Sequence, residues 1–450
     1  MAYIAPFRAL RYDPSRVNVS GAITQPYDKI TPEMQDRYYA ATPFNVVRII
    51  LGKRAPDLPG DNVYTRAAGF FRDWRRAGVF VQDGQPSIYS YSQTFMVPGG
   101  KAQFERRGFI ALGRIEDYSA GVVFRHEQTL AKPKADRLEL LRATQAHFGQ
   151  IFMLYHDSGE IENLLTVNSA PDIEVTDEYG VLHRVWRVSD PDLIGKVRAS
   201  MADKKLIIAD GHHRYETALA YRNERRVATK VALPSVNSRQ RTSGTAVLDE
   251  AQHGDNPYDW VMMTFVNMNS PGLVILPTHR LVHSLPSFSS DTFVSRARDY
   301  FNVEEVDTTV DAARATGLLE RAARVGTALL VITPDRDLLL HTPRANGAIF
   351  DGLSVRQQSL DVVQLHRVLL QNVLGLSEES IRNQENIAYI RDTAEAIQRV
   401  RAGGANVAFL MNPARISQVR DIAFAGEVLP QKSTDFYPKL LTGLTVYALE

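Results

Sequence analysis

Cysteine is absent from the 450-residue sequence. This absence excludes disulfide bonds, thiolate metal sites and a cysteine nucleophile, and it favours a reducing compartment. No segment reaches the ~18 consecutive apolar residues that a membrane-spanning helix needs. Residues 1–10 also lack the charged start and apolar core of a secretion signal. The sequence therefore predicts a cytoplasmic protein that neither spans a membrane nor is exported.

Charge of one sign is not in excess either. The 52 Lys and Arg residues nearly balance the 51 Asp and Glu residues, for a formal net charge of +1. That balance argues against a surface built for nucleic acid or for an anionic membrane. The hydrophobic share of 44% and the charged share of 23% are typical of a globular protein.

The length exceeds what a single hydrophobic core usually serves. We predict an N-terminal domain over residues 1–235, a middle α/β region over residues 236–345 and a C-terminal region over residues 346–450. The polar stretch at residues 235–259 is the best candidate for a linker or a lid.

Familiar nucleotide and metal motifs are missing from the sequence. It contains neither Gly-x-Gly-x-x-Gly nor the His-Glu-x-x-His zinc motif. The segment at residues 430–434 resembles a phosphate-binding P-loop only superficially, because Gln431 replaces the glycine before the lysine and Pro430 removes a backbone donor. A solvated proline-rich loop is the alternative to an anion site here. The candidate anion ligands are Lys432, Ser433, Thr434 and Lys439.

The most informative segment runs from Leu206 to Ala218, where a short apolar run breaks into a dense polar turn and then into helix-forming sequence. This order predicts a strand, a turn and a helix. The first N–H groups of a helix have no partner within the helix, and its dipole is positive there. The turn therefore suits an anion such as a phosphate.

Each residue of this turn has chemistry that fits such a site. Gly211 permits a left-handed backbone and the close approach of a ligand. Asp210 can cap the helix, or hold a metal ion or a hydroxyl group. His212 and His213 can transfer protons near neutral pH, and Arg214 offers a planar fork for phosphate or carboxylate oxygens. The alternative is an ordinary capped and solvated helix start.

A second polar cluster lies at His126 and Glu127. The pair could transfer protons or bind a metal ion, although neighbours in an extended segment point to opposite sides. A solvated loop before a helix at residues 135–147 is the alternative. His279 and Arg280, at a strand end, form a third candidate, but a satisfied histidine at the edge of the core is the commoner case.

Alternating polar and apolar residues predict two hairpins, at residues 87–113 and 172–188. From residue 183 to residue 226 the predicted order is strand, helix, strand, helix. The apolar run at residues 44–51 is predicted as a buried strand. The sequence as a whole predicts a mixed α/β fold.

Five motifs, in order along the chain, resemble those of a family of uncharacterised bacterial and archaeal proteins, the domain-of-unknown-function family numbered one thousand and fifteen. The resemblance extends from end to end and supplies no established activity. The motifs are Gln25-Pro26-Tyr27-Asp28, His126-Glu127-x-Thr129, Ala209-Asp210-Gly211-His212-His213-Arg214-Tyr215-Glu216-Thr217, Pro277-Thr278-His279-Arg280 and Pro430-Gln431-Lys432-Ser433-Thr434-x-Phe436-Tyr437-Pro438-Lys439.

The polar turn also looks like the phosphate-binding turn of the ParB and sulfiredoxin superfamily, over roughly residues 183–226. That superfamily includes CTP-binding proteins, ATP-dependent sulfiredoxin and free-serine kinases. The resemblance implies a ParB/sulfiredoxin-like strand–helix–strand–helix unit within a larger fold. It also implies that the residues from Asp210 to Arg214 hold nucleotide phosphates with magnesium, whereas sulfiredoxin's catalytic cysteine has no counterpart.

We therefore expect an enzyme that uses ATP or ADP with magnesium to transfer a phosphoryl group to a small hydroxylated metabolite. The turn and the C-terminal lysines would neutralise phosphate charge, and His126, Glu127 or His213 would accept the hydroxyl proton. A second hypothesis is a metal-dependent hydrolase or phosphatase, in which Asp210 and His212 join the His126 cluster in binding the ion. A third is a nucleotide-binding regulator without turnover.

Overall fold

The computed structural model describes residues 1–56, 58–128, 131–232, 256–306, 310–344 and 347–450. Thr129 and most of the predicted linker at residues 235–259 lie outside these ranges. The strands are β1 (Ile4–Ala5), β2 (Leu10–Tyr12), β3 (Phe80–Gln82), β4 (Ile88–Met96), β5 (Gln103–Arg114), β6 (Val123–Phe124), β7 (Ala146–His147), β8 (Ile151–Tyr155), β9 (Ile173–Thr176), β10 (Leu182–Val188), β11 (Leu206–Asp210), β12 (Trp260–Asn267), β13 (Val274–Ile275), β14 (His279–Val282), β15 (Asn302–Val306), β16 (Ala328–Ile332), β17 (Asp337–His341), β18 (Ile387–Ile390), β19 (Val407–Met411), β20 (Phe436–Tyr437) and β21 (Tyr447–Ala448).

The helices lie between these strands along the chain, singly or in consecutive groups, and the fold is mixed α/β, as predicted. They are α1 (Val19–Ala22), α2 (Pro32–Ala41), α3 (Val47–Ile50), α4 (Val63–Arg76), α5 (Ala131–Thr144), α6 (Glu160–Leu164), α7 (Pro191–Met201), α8 (His212–Ala232), α9 (Ser290–Ala297), α10 (Ala312–Ala322), α11 (Val355–Gln358), α12 (Asp361–Gln364), a π-helix (Leu365–Val373), α13 (Glu378–Asn383), α14 (Thr393–Arg401) and α15 (Ile416–Phe424). None of the helices in the described ranges combines the length and the apolar character that crossing a bilayer requires.

The chain divides into two compact units. The first comprises residues 1–125, 129–273 and 438–450, and the second comprises residues 126–128 and 274–437. This grouping differs from the predicted boundaries at residues 235 and 345, because strand pairing crosses both positions. β12 pairs with β5 and β8 of the first unit, and β16 pairs with β19 of the second. Whether residues 1–235, 236–345 and 346–450 fold independently stays a prediction.

The first unit is built on a nine-stranded sheet with the order β6-β11-β8-β12-β5-β4-β10-β9, and β1 also pairs with β5. The predicted hairpins are confirmed as β4–β5 and β9–β10. The predicted strand–helix–strand–helix order is confirmed as β10, α7, β11 and α8. Helices α7 and α8 pack on the sheet through apolar side chains that include Val197 and Ala218. β11 is thereby buried along its length, and it ends at the polar turn.

The second unit contains a six-stranded antiparallel sheet with the order β15-β17-β16-β19-β14-β18. Alternate residues of its central strands face opposite sides, as the pleat of a strand requires. Leu330 and Leu410 pack with α10 and α14, whereas Leu329 and Phe409 pack with α9 and the π-helix. The sheet therefore lies between two helical layers.

The predicted strand at residues 44–51 is wrong, since this run forms α3. Asn45 explains the difference, because its side-chain oxygen accepts a hydrogen bond from the N–H of Val47 at 2.9 Å and its amide donates to the carbonyl of Gly21 at 2.7 Å. Asparagine in this position supports the start of a helix. Val47, Ile49 and Ile50 are nonetheless buried, so the burial that the apolar pattern predicted is confirmed.

Candidate functional site

The predicted strand–turn–helix is formed by β11, Gly211 and α8. The ladder between β11 and β8 shifts register between Ile208 and Asp210, which turns the end of the strand. Gly211 has a left-handed φ of +92°, and a Cβ atom there would lie 2.9–3.0 Å from the guanidinium group of Arg214. The left-handed backbone favours glycine at this position, and a larger residue would require the guanidinium group of Arg214 to move.

The charged groups of the turn surround one carboxylate. Nη2 of Arg214 donates to Oδ2 of Asp210 at 2.8 Å, and Nζ of Lys439 lies 3.6 Å from Oδ1. Burial alone would raise the pKa of Asp210, but the nearby charges of Lys439, Arg214, Lys29 and His212 outweigh it and hold that pKa well below its usual value. Asp210 is therefore ionised within an excess of positive charge. We call Asp210, Gly211, Arg214 and Lys439 the turn cluster.

A buried arginine fixes the segment that carries Lys439. Arg106 is 1% exposed, and it donates hydrogen bonds to the side-chain oxygen of Gln93 and, at 2.5 Å, to the carbonyl of Pro438. The amide of Gln93 in turn donates to the carbonyl of Lys439 at 2.9 Å. Burial lowers the pKa of Arg106 to about 10, so the group is still charged at neutral pH.

The polar chain continues from Gln93 to the first sequence motif. The hydroxyl of Tyr91 donates to Nδ1 of His183 at 2.7 Å, which leaves Nε2 to donate to Oδ2 of Asp177 at 3.3 Å. The side-chain amide of Gln25 donates to the same Asp177 oxygen at 3.0 Å. Buried networks whose members are all satisfied hold their surroundings rigidly. The motif at residues 25–28 therefore contributes through Gln25 to the support of the turn cluster.

A cavity of about 80 Å³ lies against the turn within the first unit. Its lining includes Leu140 and Leu141 of α5, the ring of Tyr27, and the polar groups of Arg214 and Thr217. Thr217 is 4% exposed, and its hydroxyl has no hydrogen-bond partner within the described part of the chain. An apolar wall with a cation and an unsatisfied hydroxyl suits a ligand that has both an apolar and an anionic part.

His126 and Glu127 belong to the second unit, where both bind Thr434. Oε1 of Glu127 accepts hydrogen bonds from the backbone N–H and the hydroxyl of Thr434, at 3.0 Å and 2.9 Å. Nε2 of His126 lies 2.7 Å from the same hydroxyl oxygen. Since that hydroxyl has one hydrogen, which goes to Glu127, Nε2 of His126 is the donor in its contact. The sequence predicted these side chains as catalytic, and the structure gives them a contact that holds the loop at residues 430–434.

The remaining candidates of this loop are held by their own contacts. The hydroxyl of Ser433 donates to the carbonyl of Pro430 at 2.5 Å, and Nη2 of Arg280 donates to the carbonyl of Lys432 at 3.0 Å. The side chain of Lys432 is exposed, and its backbone is left-handed with a φ of +57°.

His279, 2% exposed, contacts Thr393 through Nε2 and accepts a hydrogen bond from the backbone N–H of Met411, which makes it a satisfied histidine at the edge of the core.

The structure thus places Asp210, Gly211, Arg214 and Lys439 together in one unit, with His212 buried and His213 partly buried at the start of α8. Sequence reasoning missed Arg106 and the rest of the polar chain behind Lys439. The only sequence signal for this polar chain was Gln25, next to Pro26, and that segment predicted no more than a turn. Among the described residues, no group of three or more Asp, Glu or His side chains has the spacing of a metal site.

Comparison with known proteins identifies the family. Residues 4–363 match the model of a family described as a protein of unknown function, DUF1015. The chain belongs to this family. None of the proteins with curated descriptions matches it.

Three solved structures are similar to this DUF1015 chain. A conserved hypothetical protein from Pyrococcus furiosus is 12% identical, with 71% of this chain and 88% of that chain covered and a TM-score of 0.33. A free serine kinase in complex with AMP is 12% identical, with coverages of 70% and 83% and a TM-score of 0.33. SbnI with a C-terminal truncation from Staphylococcus aureus is 8% identical, with coverages of 74% and 85% and a TM-score of 0.30.

Proposed function

We propose that the turn cluster binds the phosphates of a nucleotide, ATP or ADP, and that the protein transfers a phosphoryl group from it to a small hydroxylated metabolite. The observation that carries this proposal is the grouping of Arg214, Lys439, Lys29 and His212 around one ionised carboxylate at the start of a long helix. Phosphoryl transfer is mostly positioning and electrostatic stabilisation, which such a group of cations supplies.

We propose that Mg²⁺ accompanies the nucleotide at this site. The carboxylate of Asp210 stays ionised, and Mg²⁺ commonly binds through one or two carboxylates together with substrate phosphates. When bound, the ion would neutralise phosphate charge. Asp210 would hold it, while Arg214 and Lys439 would turn from the carboxylate to the phosphate oxygens.

The cavity beside the turn would take the base of the nucleotide. Leu140, Leu141 and the ring of Tyr27 provide an apolar surface for a base, and the hydroxyl of Thr217 is a polar group without a hydrogen-bond partner among the described residues. In the transfer itself, the P–O bond to the nucleotide breaks as a P–O bond to the substrate hydroxyl forms. We assign His213 as the base that accepts the hydroxyl proton, because it lies in the first turn of α8, in the same unit as the turn cluster.

The first test is thermal melting of the full chain with ATP, ADP, CTP or GTP, each with and without Mg²⁺. A ligand that binds only the folded state raises the melting temperature. We expect an adenine nucleotide with Mg²⁺ to do so, and Lys439→Gln to weaken its affinity about tenfold or more, since a charged contact to phosphate is lost. Lys196→Gln, at an exposed position of α7, is the matched control. An unchanged affinity in Lys439→Gln would remove the turn cluster from the site.

One observation favours a second candidate, a nucleotide-binding regulator without turnover. The ring of His126 is fully buried, and Nε2 of His126 and Oε1 of Glu127 are both engaged with Thr434. Phosphoryl-transfer assays of the wild type and of His213→Asn separate the two functions. In an enzyme it would abolish turnover and leave nucleotide affinity within about twofold, whereas a regulator would show no phosphoryl transfer in the wild type.

A further inference from the structure

A second cavity, of about 150 Å³, lies wholly within the second unit. Its walls come from the π-helix Leu365–Val373, from α13, from β18 and from residues 428–431. Its lining includes the apolar side chains of Val363 and Ile381 and several side-chain amides. We call it the π-helix cavity. Its residues take no part in the turn cluster.

The charged groups of this cavity favour an anion. Arg367 and Arg382 line it, and Glu378 is the one carboxylate among its lining residues. Arg367 donates a hydrogen bond to the side chain of Gln371 at 3.4 Å. Within the described ranges, neither arginine forms an ion pair with a carboxylate. Two guanidinium groups facing one small space are suited to carboxylate or phosphate oxygens.

A buried histidine adds a neutral polar group. His366 lines the cavity and is 8% exposed, and its Nε2 has no hydrogen-bond partner in the part of the chain that the structure describes. Burial, together with the charges of Arg280 and Arg367, lowers the pKa of His366 to about 3. The ring is therefore neutral at physiological pH and carries one nitrogen that can accept a hydrogen bond. A buried polar atom without a partner is costly unless a ligand or water satisfies it.

The backbone at this point is unusual as well. A π-helix of nine residues replaces the α-helical pattern between α12 and α13, and the N–H of Leu374 bonds back to the carbonyl of Leu369. Such i→i+5 segments are rare and are frequent at functional sites. Here the wider turn places His366, Arg367 and Gln371 along one cavity.

We propose that the π-helix cavity binds a small hydroxylated oxyanion, with Arg367 and Arg382 holding the anionic group and His366 accepting a hydrogen bond from a hydroxyl group. The anionic group is a phosphate monoester or a carboxylate, which share the chemistry that two guanidinium groups recognise. The proposal does not depend on nucleotide binding, since all of the residues that carry it belong to the second unit.

Calorimetric titration of the full chain with two probes tests this. Glycerol 3-phosphate represents the phosphate monoesters, and malate represents the hydroxycarboxylates. We expect one of them to bind at one equivalent, and Arg367→Gln and Arg382→Gln each to weaken it about tenfold or more. Arg324→Gln, at an exposed position in the turn after α10, should leave it unchanged.

The contribution of His366 is tested in the same titration. His366→Phe keeps a planar ring and removes both nitrogens, so we expect affinity for the hydroxylated probe to fall about fivefold or more. Succinate is malate without the hydroxyl group, and its affinity should not change in this variant. If His366→Phe does not fold, the ratio of malate to succinate affinity in the wild type replaces it, and a ratio near one would remove the hydroxyl contact.

Three results would overturn the proposal: no binding of either probe at millimolar concentration, an affinity that survives both arginine substitutions, or an affinity lost in Lys439→Gln instead. The last result would place the anion at the turn cluster. The nucleotide-dependent melting shift, measured in Arg367→Gln, keeps the two proposals apart, because it should equal that of the wild type.

Discussion

In the first unit the charged groups of the candidate site are paired with one another, whereas in the second unit the arginines of the π-helix cavity are not paired with carboxylates among the described residues. Asp210 engages both Arg214 and Lys439. A phosphate that binds there competes with the carboxylate of Asp210 for Arg214 and Lys439, unless Mg²⁺ binds that carboxylate. Binding at the turn cluster should therefore depend on Mg²⁺, and binding in the π-helix cavity should not.

The pKa values of two aspartates, one in each unit, also differ in the direction of their shift. Cations lower the pKa of Asp210, whereas burial raises the pKa of Asp361 in the second unit to about 6, with Thr327 and Arg415 offsetting only part of it. Burial raises the pKa of both carboxylates, and the net shift of Asp210 is downward because the surrounding positive charge outweighs burial there. The turn cluster thus holds its carboxylate among several cations, whereas burial dominates at Asp361.

The largest effect should follow from breaking the network of the first unit. Arg106→Met removes a buried charge and leaves the oxygens of Gln93 and Pro438 without their donor, at a cost of about 4 kcal/mol in the free energy of unfolding. The neighbouring Arg107, whose side chain is 52% exposed, pairs with Glu105 on the surface. Arg107→Met should cost less than about 1 kcal/mol. Denaturant unfolding of both variants measures the difference, and equal costs would show that the network does not support the fold.

The second effect concerns Asp361. Its folded pKa of about 6 lies above its ordinary value, so the folded chain binds this proton more tightly than the unfolded chain does. The stabilisation from that proton is complete below about pH 4 and is lost as the pH rises through about 6. Asp361→Asn mimics the protonated acid, and at pH 7.5 we expect it to be more stable than the wild type by up to about 3 kcal/mol.

Unfolding at pH 4.5 and pH 7.5 tests the Asp361 prediction. The advantage of Asp361→Asn should shrink at the lower pH, while Asp351→Asn, at an exposed position of the same unit, should show no such change. An advantage that does not vary with pH would mean that Asp361 titrates normally.

Local patterns predicted the parts of both units that depend on neighbours in sequence. The hairpins β4–β5 and β9–β10 and the strand–turn–helix at Gly211 follow from residues within a few positions of each other. The strand predicted at residues 44–51 was wrong because the apolar pattern there fits a buried strand and a buried helix equally well. The side chain of Asn45 stabilises the start of the helix.

The remaining features depend on contacts that sequence spacing does not reveal. Gln93 and Lys439 are 346 positions apart, and the contact between them exists only because the last residues return to the first sheet. The π-helix is likewise invisible in the sequence, since its apolar residues also fit an α-helix. The candidate residues of the turn could therefore be predicted from the sequence. The hydrogen bonds that hold Lys439 in place and the π-helix cavity could not.

The smallest effect should come from Gly211, and it separates backbone strain from crowding. Gly180, in the hairpin of the first unit, has a φ of +74° and no described atom within 4 Å of the position that a Cβ atom would take, whereas a Cβ atom at Gly211 would meet Arg214. Gly180→Ala should therefore cost about 1 kcal/mol for the left-handed backbone alone. Gly211→Ala should cost about 2 kcal/mol, because the guanidinium group must also leave Asp210. If the two variants unfold at the same denaturant concentration, Arg214 moves freely, and its pairing with Asp210 is weaker than the geometry indicates. If Gly211→Ala loses nucleotide affinity and Gly180→Ala does not, that pairing sets the position of the phosphate.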